Sequence, residues 1–380
     1  MSSSSDSGNS SIDVLADEER EDIPTPSTPD DNEYFNDELP HTTTRNMVNR
    51  DPKRPLISAA STRKPSAYRA VADLGNYIEE CYYKNTSSPR RPIFNKGAGH
   101  FTPQLEQNRK NRIIIYPGCF NPPHRNHQAL LNRAFSCTQD IHVIAAIVLP
   151  LTNDTKSHMT IKFTKAEKAR LWTGDYAPHD WLWVYQKSHS EWDEFRTSLA
   201  RAITTDGFKL QFILLTGSDH VRRDSFPDTW DCENVVVGDV GRKADFVRAD
   251  GSLARVDGCG SWALLPFNQK NITWKAKDTA EWLLGSLSFT MVGQGYEALV
   301  EEIALEYVRR MQGIRVCSYK HDTKPWLRYI PGGDGVAHLS STDIRWAMTK
   351  YPPVELFEKL KRKVLNPEIL IQLIQEKNPS

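Results

Sequence analysis

Five short runs of apolar and β-branched residues recur along the middle of this chain, and stretches with helical spacing stand between them. The runs are 112–116 (RIIIY), 141–149 (IHVIAAIVL), 181–185 (WLWVY), 211–216 (QFILLT) and 234–237 (NVVV). The intervening stretches HQALLNRAF, FTKAEKARLW and SEWDEFRTSLARAI carry apolar residues at i, i+3 and i+4. An unbroken apolar run has no polar face to turn to water, so such a strand must be covered on both sides. Covered strands alternating with helices make βαβ units, which predicts an α/β fold built on a Rossmann-like, doubly wound parallel sheet. Ligands in such sheets collect at the carboxyl ends of the strands.

The remainder of the chain divides around this body. Residues 1–65 are dominated by Ser, Thr, Pro, Asp and Glu, without apolar periodicity, and read as a disordered tail. Its first forty residues hold a dozen acids and one base, Arg20, whereas the following RNMVNRDPKRPLISAASTRKPS is basic. Residues 66–110 read as a docking helix, AYRAVADLGNYIEECYY, with a linker. Residues 111–380 form the main domain, with an insertion at about 243–313, where the strand–helix rhythm lapses and one amphipathic helix, YEALVEEIALEYVRRMQ, stands out. The closing VELFEKLKRKVLNPEILIQLIQEKN is helical with a break at Asn366-Pro367.

Composition excludes several classes. With 39% hydrophobic residues and no apolar run near the ~18 residues of a membrane span, no membrane partner is expected. The opening residues lack the basic and apolar regions of a secretory signal. Six cysteines without a CxxC pair argue against a zinc ribbon or a disulfide framework, so no structural metal is expected, and they fit a reducing compartment, cytoplasmic or nuclear. The zero net charge gives no sign of a nucleic-acid partner. The sequence leaves open whether the chain forms a homo-oligomer.

The first strand runs into YPGCFNPPHRNH (116–127). Gly118 admits positive φ and a close approach of phosphate to the backbone. Pro122 and Pro123 stiffen the loop. A helix starting near His124 turns its N–H groups and positive dipole end toward the loop, which suits an anion. His124 and His127, at i and i+3, share a helical face and stand ready to donate to a triphosphate. A plain Pro-rich turn with two surface histidines would produce the same letters. Near the other end, HLSSTDIR (338–345) offers Ser340, Ser341 and Thr342 as helix-cap candidates with Arg345 one turn on. That is an ordinary helix start, or a second phosphate clamp, since guanidinium binds phosphate oxygens in bidentate fashion.

Taken together, G-x-F-x-P-x-H-x-x-H after the first strand and S-S-T-x-I-R near the end resemble the nucleotidylyltransferase superfamily. Its members transfer a nucleoside monophosphate from ATP or CTP to a phosphorylated acceptor and release pyrophosphate. Gly118, Phe120, Pro122, His124 and His127 match the first motif; Ser340, Ser341, Thr342, Ile344 and Arg345 match the second. The resemblance covers about 111–242 and 335–377, and is closest to the eukaryotic nicotinamide mononucleotide adenylyltransferases of NAD biosynthesis. GCFNPPHRNH is similar to that family's G-S-F-N-P loop. LLTGSDH is similar to its G-A-D segment, which implies that Gly217 and Asp219 border the ATP ribose. EWDE and TW resemble the places where the family sets tryptophans against the nicotinamide ring, implying Trp192 and Trp230 as acceptor contacts. DTK is similar to its D-x-x-K region, implying Lys156 at the phosphates, with Lys168 a second candidate.

The resemblance implies adenylyl transfer from Mg-ATP to nicotinamide or nicotinate mononucleotide, with His124, His127 and Arg345 catalytic and Mg2+ arriving with the nucleotide. Two departures bear on the acceptor: the stretch from Arg242 to His338 is longer than the family usually shows, which implies a rebuilt acceptor pocket, and an expected arginine is missing. After the fifth strand the family reads V-x-R-x-G, but VVVGDVGRK puts Asp239 where the arginine is expected, leaving Arg242 to replace it. Two other readings remain: a cytidylyltransferase acting on a phosphorylated alcohol, and a catalytically silent nucleotide-binding protein.

Overall fold

The computed structural model describes residues 70–377 apart from 85, 87–89, 95–101, 152–160, 175–179, 225–228, 266–276, 278–293, 321–324 and 333–338. The tail anticipated at 1–65 lies outside the described residues. The elements, in chain order, are β1 (Val71–Asp73), α1 (Leu74–Tyr82), β2 (Gln104–Glu106), β3 (Lys110–Gly118), α2 (Arg125–Ser136), β4 (Val143–Pro150), α3 (Lys165–Thr173), β5 (Leu182–Val184), α4 (Trp192–Thr205), β6 (Lys209–Gly217) and β7 (Asn234–Gly238). There follow β8 (Ala263–Leu264), α5 (Gln294–Gln312), β9 (Arg315–Ser318), β10 (Trp326–Ile330), α6 (Ser341–Lys350), α7 (Pro353–Leu360) and α8 (Pro367–Lys377).

An eight-stranded sheet carries the domain in the order β5-β4-β3-β6-β7-β10-β9-β8. The first six strands are parallel, and β9 and β8 close one edge in antiparallel fashion. Numbering only the parallel strands along the chain gives 3-2-1-4-5-6, the doubly wound Rossmann order. The expected α/β fold is therefore the observed one. Its physical cause is visible in β4, where every residue is buried. Period-2 alternation then sends neighbours to opposite faces. Ile113 and Ile115 belong to the same apolar cluster as Phe195 and Leu199 of α4, while Ile114 belongs to the cluster that holds Leu130 and Leu131 of α2 and Met311 of α5.

Local chemistry sets the helix ends. Thr164 caps α3 in a reciprocal box with Glu167: the Thr164 N–H donates to Oε2 at 2.6 Å and Glu167 N–H donates back to Oγ1 at 3.2 Å. Pro367 opens α8, at the break expected beside Asn366. A third apolar cluster, including Leu171, Ile344, Leu356 and Leu370, docks α6, α7 and α8 on α3.

One expectation needs correction, and two features extend the reading. The helical spacing from Ala67 yields a shorter helix, because Asp73 Oδ1 accepts from Gly75 N–H at 2.8 Å and starts α1 at Leu74, while Val71–Asp73 pairs with β2. The stretch anticipated as an insertion lengthens the sheet through β8 and covers it with α5. The sixth parallel strand, β10, was not anticipated. Its central Arg328 is 3% exposed and makes a bidentate pair with Asp140, at 2.8 and 2.9 Å, plus a bond to the Cys137 carbonyl at 3.1 Å. Among the described residues no helix is long and apolar enough to cross a membrane.

Candidate active site

β3 and β6 lie side by side, yet their connections leave to opposite sides, β3 toward β4 and β6 toward β7. A crevice opens beyond the carboxyl ends of such a pair. Those ends are Gly118 and Gly217. The crevice is a cleft of about 700 Å3, large enough for a nucleotide-sized ligand.

From β3 the chain enters the loop that carries both histidines. The glycine at 118 serves close approach: a Cβ there would stand 2.6 and 2.7 Å from ring atoms of Phe120. Positive φ falls instead on Phe120 itself, at +41°. The buried Phe120 ring packs edge-on against Tyr116, Trp172 and His127, each at 5.1 Å between centroids. Gly118→Ala is accordingly expected to displace Phe120 and the imidazole resting on it. Thermal unfolding should register a loss of about 1–3 kcal/mol; an unchanged value would remove the role assigned to Phe120.

His124 is the N-cap of α2, and His127 lies at its third position. The two rings stack at 3.6 Å and 20°. The His124 backbone N–H donates to His127 Nδ1 at 3.1 Å, so the neutral His127 ring carries its proton on Nε2. Among the described residues, His124 Nδ1 is buried without a hydrogen-bond partner. Burial pulls the His124 imidazole down to about 4, and burial followed by the neighbouring His124 holds His127 well below its ordinary value. Both are neutral donors at physiological pH. The N–H groups at the start of α2 are less free than expected, because Arg125 N–H already donates to the Lys363 carbonyl at 2.9 Å. An anion here would rely more on side chains.

The second motif folds onto the first. Ser340 caps α6, its Oγ accepting from Asp343 N–H at 3.1 Å. Ser341 Oγ donates to the Pro122 carbonyl at 3.2 Å, across 219 residues of chain. Arg345 donates to the Asn121 carbonyl at 2.9 Å, across 224 residues, and to Thr342 Oγ1 at 2.9 Å. Burial pulls the Arg345 guanidinium below its ordinary value, with the Cys119 thiol opposing; it stays cationic at any physiological pH. Asn121 and Cys119, which the sequence did not single out, also line the cleft. Asn121 acts on Arg345 through its backbone carbonyl, which no side-chain pattern reveals.

The cleft draws together Gly118, Phe120, His124, His127, Gly217, Asp219, Trp230, Arg242, Ser340, Ser341, Thr342 and Arg345. Arg242 Nη1 approaches Asp219 Oδ2 at 3.6 Å, and both side chains are exposed at the mouth. Ser218 Oγ donates to the Arg242 carbonyl at 2.8 Å, fixing the position of that residue beside β6. Asp239 does not line the cleft. It accepts from Tyr329 Oη at 2.7 Å and from the Gly332 N–H, tying β7 to the end of β10. The carboxylate at the position of the expected arginine is thus a structural tie.

Two residues anticipated at the site are elsewhere. Trp192 is 1% exposed and packs against Tyr185 and Phe195 at 5.2 and 5.7 Å, so its indole belongs to the core. Lys168 is buried with Nζ donating to the Leu151 carbonyl. Lys156 lies outside the described residues.

No family model matches this chain, and no curated protein matches it. Among solved structures it is similar to Plasmodium falciparum nicotinic acid mononucleotide adenylyltransferase complexed with NaAD, at 12% identity and a TM-score of 0.33, covering 71% of this chain and 97% of that one. It is also similar to the same Plasmodium falciparum enzyme complexed with APC, at 10% identity and a TM-score of 0.32, covering 70% of this chain and 96% of that one.

Proposed function

We propose that this protein transfers the adenylyl group of ATP to nicotinamide or nicotinate mononucleotide, releasing pyrophosphate. One observation carries the reading: Arg345 and Ser341 hydrogen-bond to the loop that leads into the His124–His127 pair, more than two hundred residues away in sequence. A fold gains little from assembling two stacked neutral imidazoles and a half-buried guanidinium around one open cleft. A reaction that moves negative charge along a triphosphate gains a great deal.

In this reading the acceptor phosphate oxygen attacks the α-phosphorus in line. The new bond forms as the Pα–O–Pβ bond breaks, and the electron pair leaves with pyrophosphate. No enzyme-bound covalent intermediate is needed, so catalysis is positioning plus charge stabilisation. His124 and His127 donate N–H groups to phosphate oxygens, and a neutral donor already fixed in place needs little reorganisation as charge develops. Arg345 and the Ser341–Thr342 helix start hold the departing phosphates. Gly217 and Asp219 face the ribose, and Trp230 and Arg242 face the acceptor.

Magnesium enters with ATP as part of the substrate, bound by phosphate oxygens and water. The cleft residues do not fit a resident metal: Asp219 is the one carboxylate among the described residues that line it, and it faces Arg242. No step here is routed through a protein-held ion. The test is pyrophosphate release by purified protein with ATP or CTP, each with and without nicotinamide mononucleotide. Release that requires both ATP and the mononucleotide supports the proposal. Release with CTP and a phosphorylated alcohol, or nucleotide binding without turnover, rejects it.

A further inference from the structure

The turn at 229–232 holds a residue that its backbone disfavours. Its two central residues, Trp230 and Asp231, have φ of +52° and +53°, and the Cys232 N–H donates to the Thr229 carbonyl at 2.8 Å. Positive φ at both central positions is the pattern of a type I′ turn, which selects Gly, Asn and Asp because a Cβ there crowds the next carbonyl. Asp231 suits that geometry. A tryptophan does not. Strained residues persist only where their surroundings over-determine them, and they cluster at ligand sites.

Arg196, on α4, supplies the constraint. Its Nη1 donates to the Trp230 carbonyl at 3.1 Å and to the Asp231 carbonyl at 3.5 Å, while Nη2 donates to Asp231 Oδ2 at 2.9 Å. The buried Cys232 anchors the far end of the turn. The Trp230 ring, so held, meets His189 edge-on at 5.1 Å and lines the cleft. Arg196 itself does not line it.

We infer that Arg196 is a positioning residue that holds the Trp230 indole as the wall on which the pyridine ring of the acceptor stacks, and so sets affinity for the mononucleotide and not for ATP. The inference rests on the acceptor reading above. A planar guanidinium spans two carbonyls and a carboxylate at once, which the point charge of an ammonium does not. Without that clamp the turn relaxes toward negative φ and carries the indole away from a cationic ring that its face would attract.

Steady-state kinetics with Mg-ATP and nicotinamide mononucleotide, on wild type and Arg196→Gln, test this. Arg196→Gln should raise KM for the mononucleotide about tenfold or more, with kcat and KM for ATP within about twofold. An unchanged mononucleotide KM, or a loss shared equally by ATP, overturns the inference. Should Arg196→Gln fold poorly, Arg196→Lys makes the same comparison, and a mononucleotide KM equal to wild type there overturns it too. Wild-type protein that turns over no mononucleotide rejects the acceptor reading itself, and this inference with it.

Discussion

His127→Ala should slow pyrophosphate release by about 10²–10³-fold in kcat, the usual cost of removing one pre-set donor to developing charge. The loss should exceed any change in ATP affinity, because the Nε2–H matters most as charge moves onto the leaving phosphates. The electrostatics add a pH signature. Burial brings His124 to about 4 and holds His127 far below its usual range, so neither ring gains a proton as pH drops from 8 to 6. Since kcat/KM reports groups of the free enzyme, the ratio of wild-type to variant kcat/KM should be the same at pH 6 and pH 8. A ratio that widens toward pH 6 would mean that an imidazolium performs the step, and the neutral-donor account would then be abandoned. The same depressed values act on stability. The unfolded chain takes up protons at these histidines below about 6.5 while the folded one does not, so stability should fall as pH drops from there toward 4.

The largest effect on stability is expected far from the cleft. Asp140→Ala leaves Arg328 charged and buried in the central part of the sheet with its bidentate partner gone. Breaking a buried pair from one side costs about 3–5 kcal/mol, because the remaining charge keeps its desolvation penalty and loses its compensation. Denaturant unfolding should shift accordingly. Replacing both members, Arg328→Met with Asp140→Leu, should recover most of the loss, since a buried ion pair adds little over apolar residues of similar volume. If Asp140→Ala costs under about 1 kcal/mol, Arg328 is reaching water, and its description as a buried strand residue is wrong.

That pair also explains what the sequence conceals. The five apolar runs were legible because burial on both faces leaves few polar letters, as in β4. WLRYI at β10 reads otherwise, since the arginine at its centre is neutralised by a carboxylate nearly two hundred residues away, and no local window contains both. The histidine loop and the α6 start were legible as motifs. Their contact runs through the backbone carbonyls of Asn121 and Pro122, which carry no residue signature. Trp192 and Trp230 looked alike in sequence, each beside acidic residues. Only packing separates them, with one inside a cluster of Tyr185 and Phe195 and the other on a turn that faces the cleft. Asp239 looked like a lost arginine, and the structure gives that carboxylate its own work beneath Tyr329.

The distance in sequence between the two halves of the cleft also governs when they first meet in a growing chain. At a synthesis rate of about 5–20 residues per second, the 224 residues between Asn121 and Arg345 take roughly 10–45 s to appear. Through that interval β3 and its histidine loop have emerged with nothing to hold the Asn121 and Pro122 carbonyls. A nascent chain, or one cut short before Ser341, therefore has the whole first motif and no closed cleft, and the two halves can meet only after α6 has cleared the ribosome.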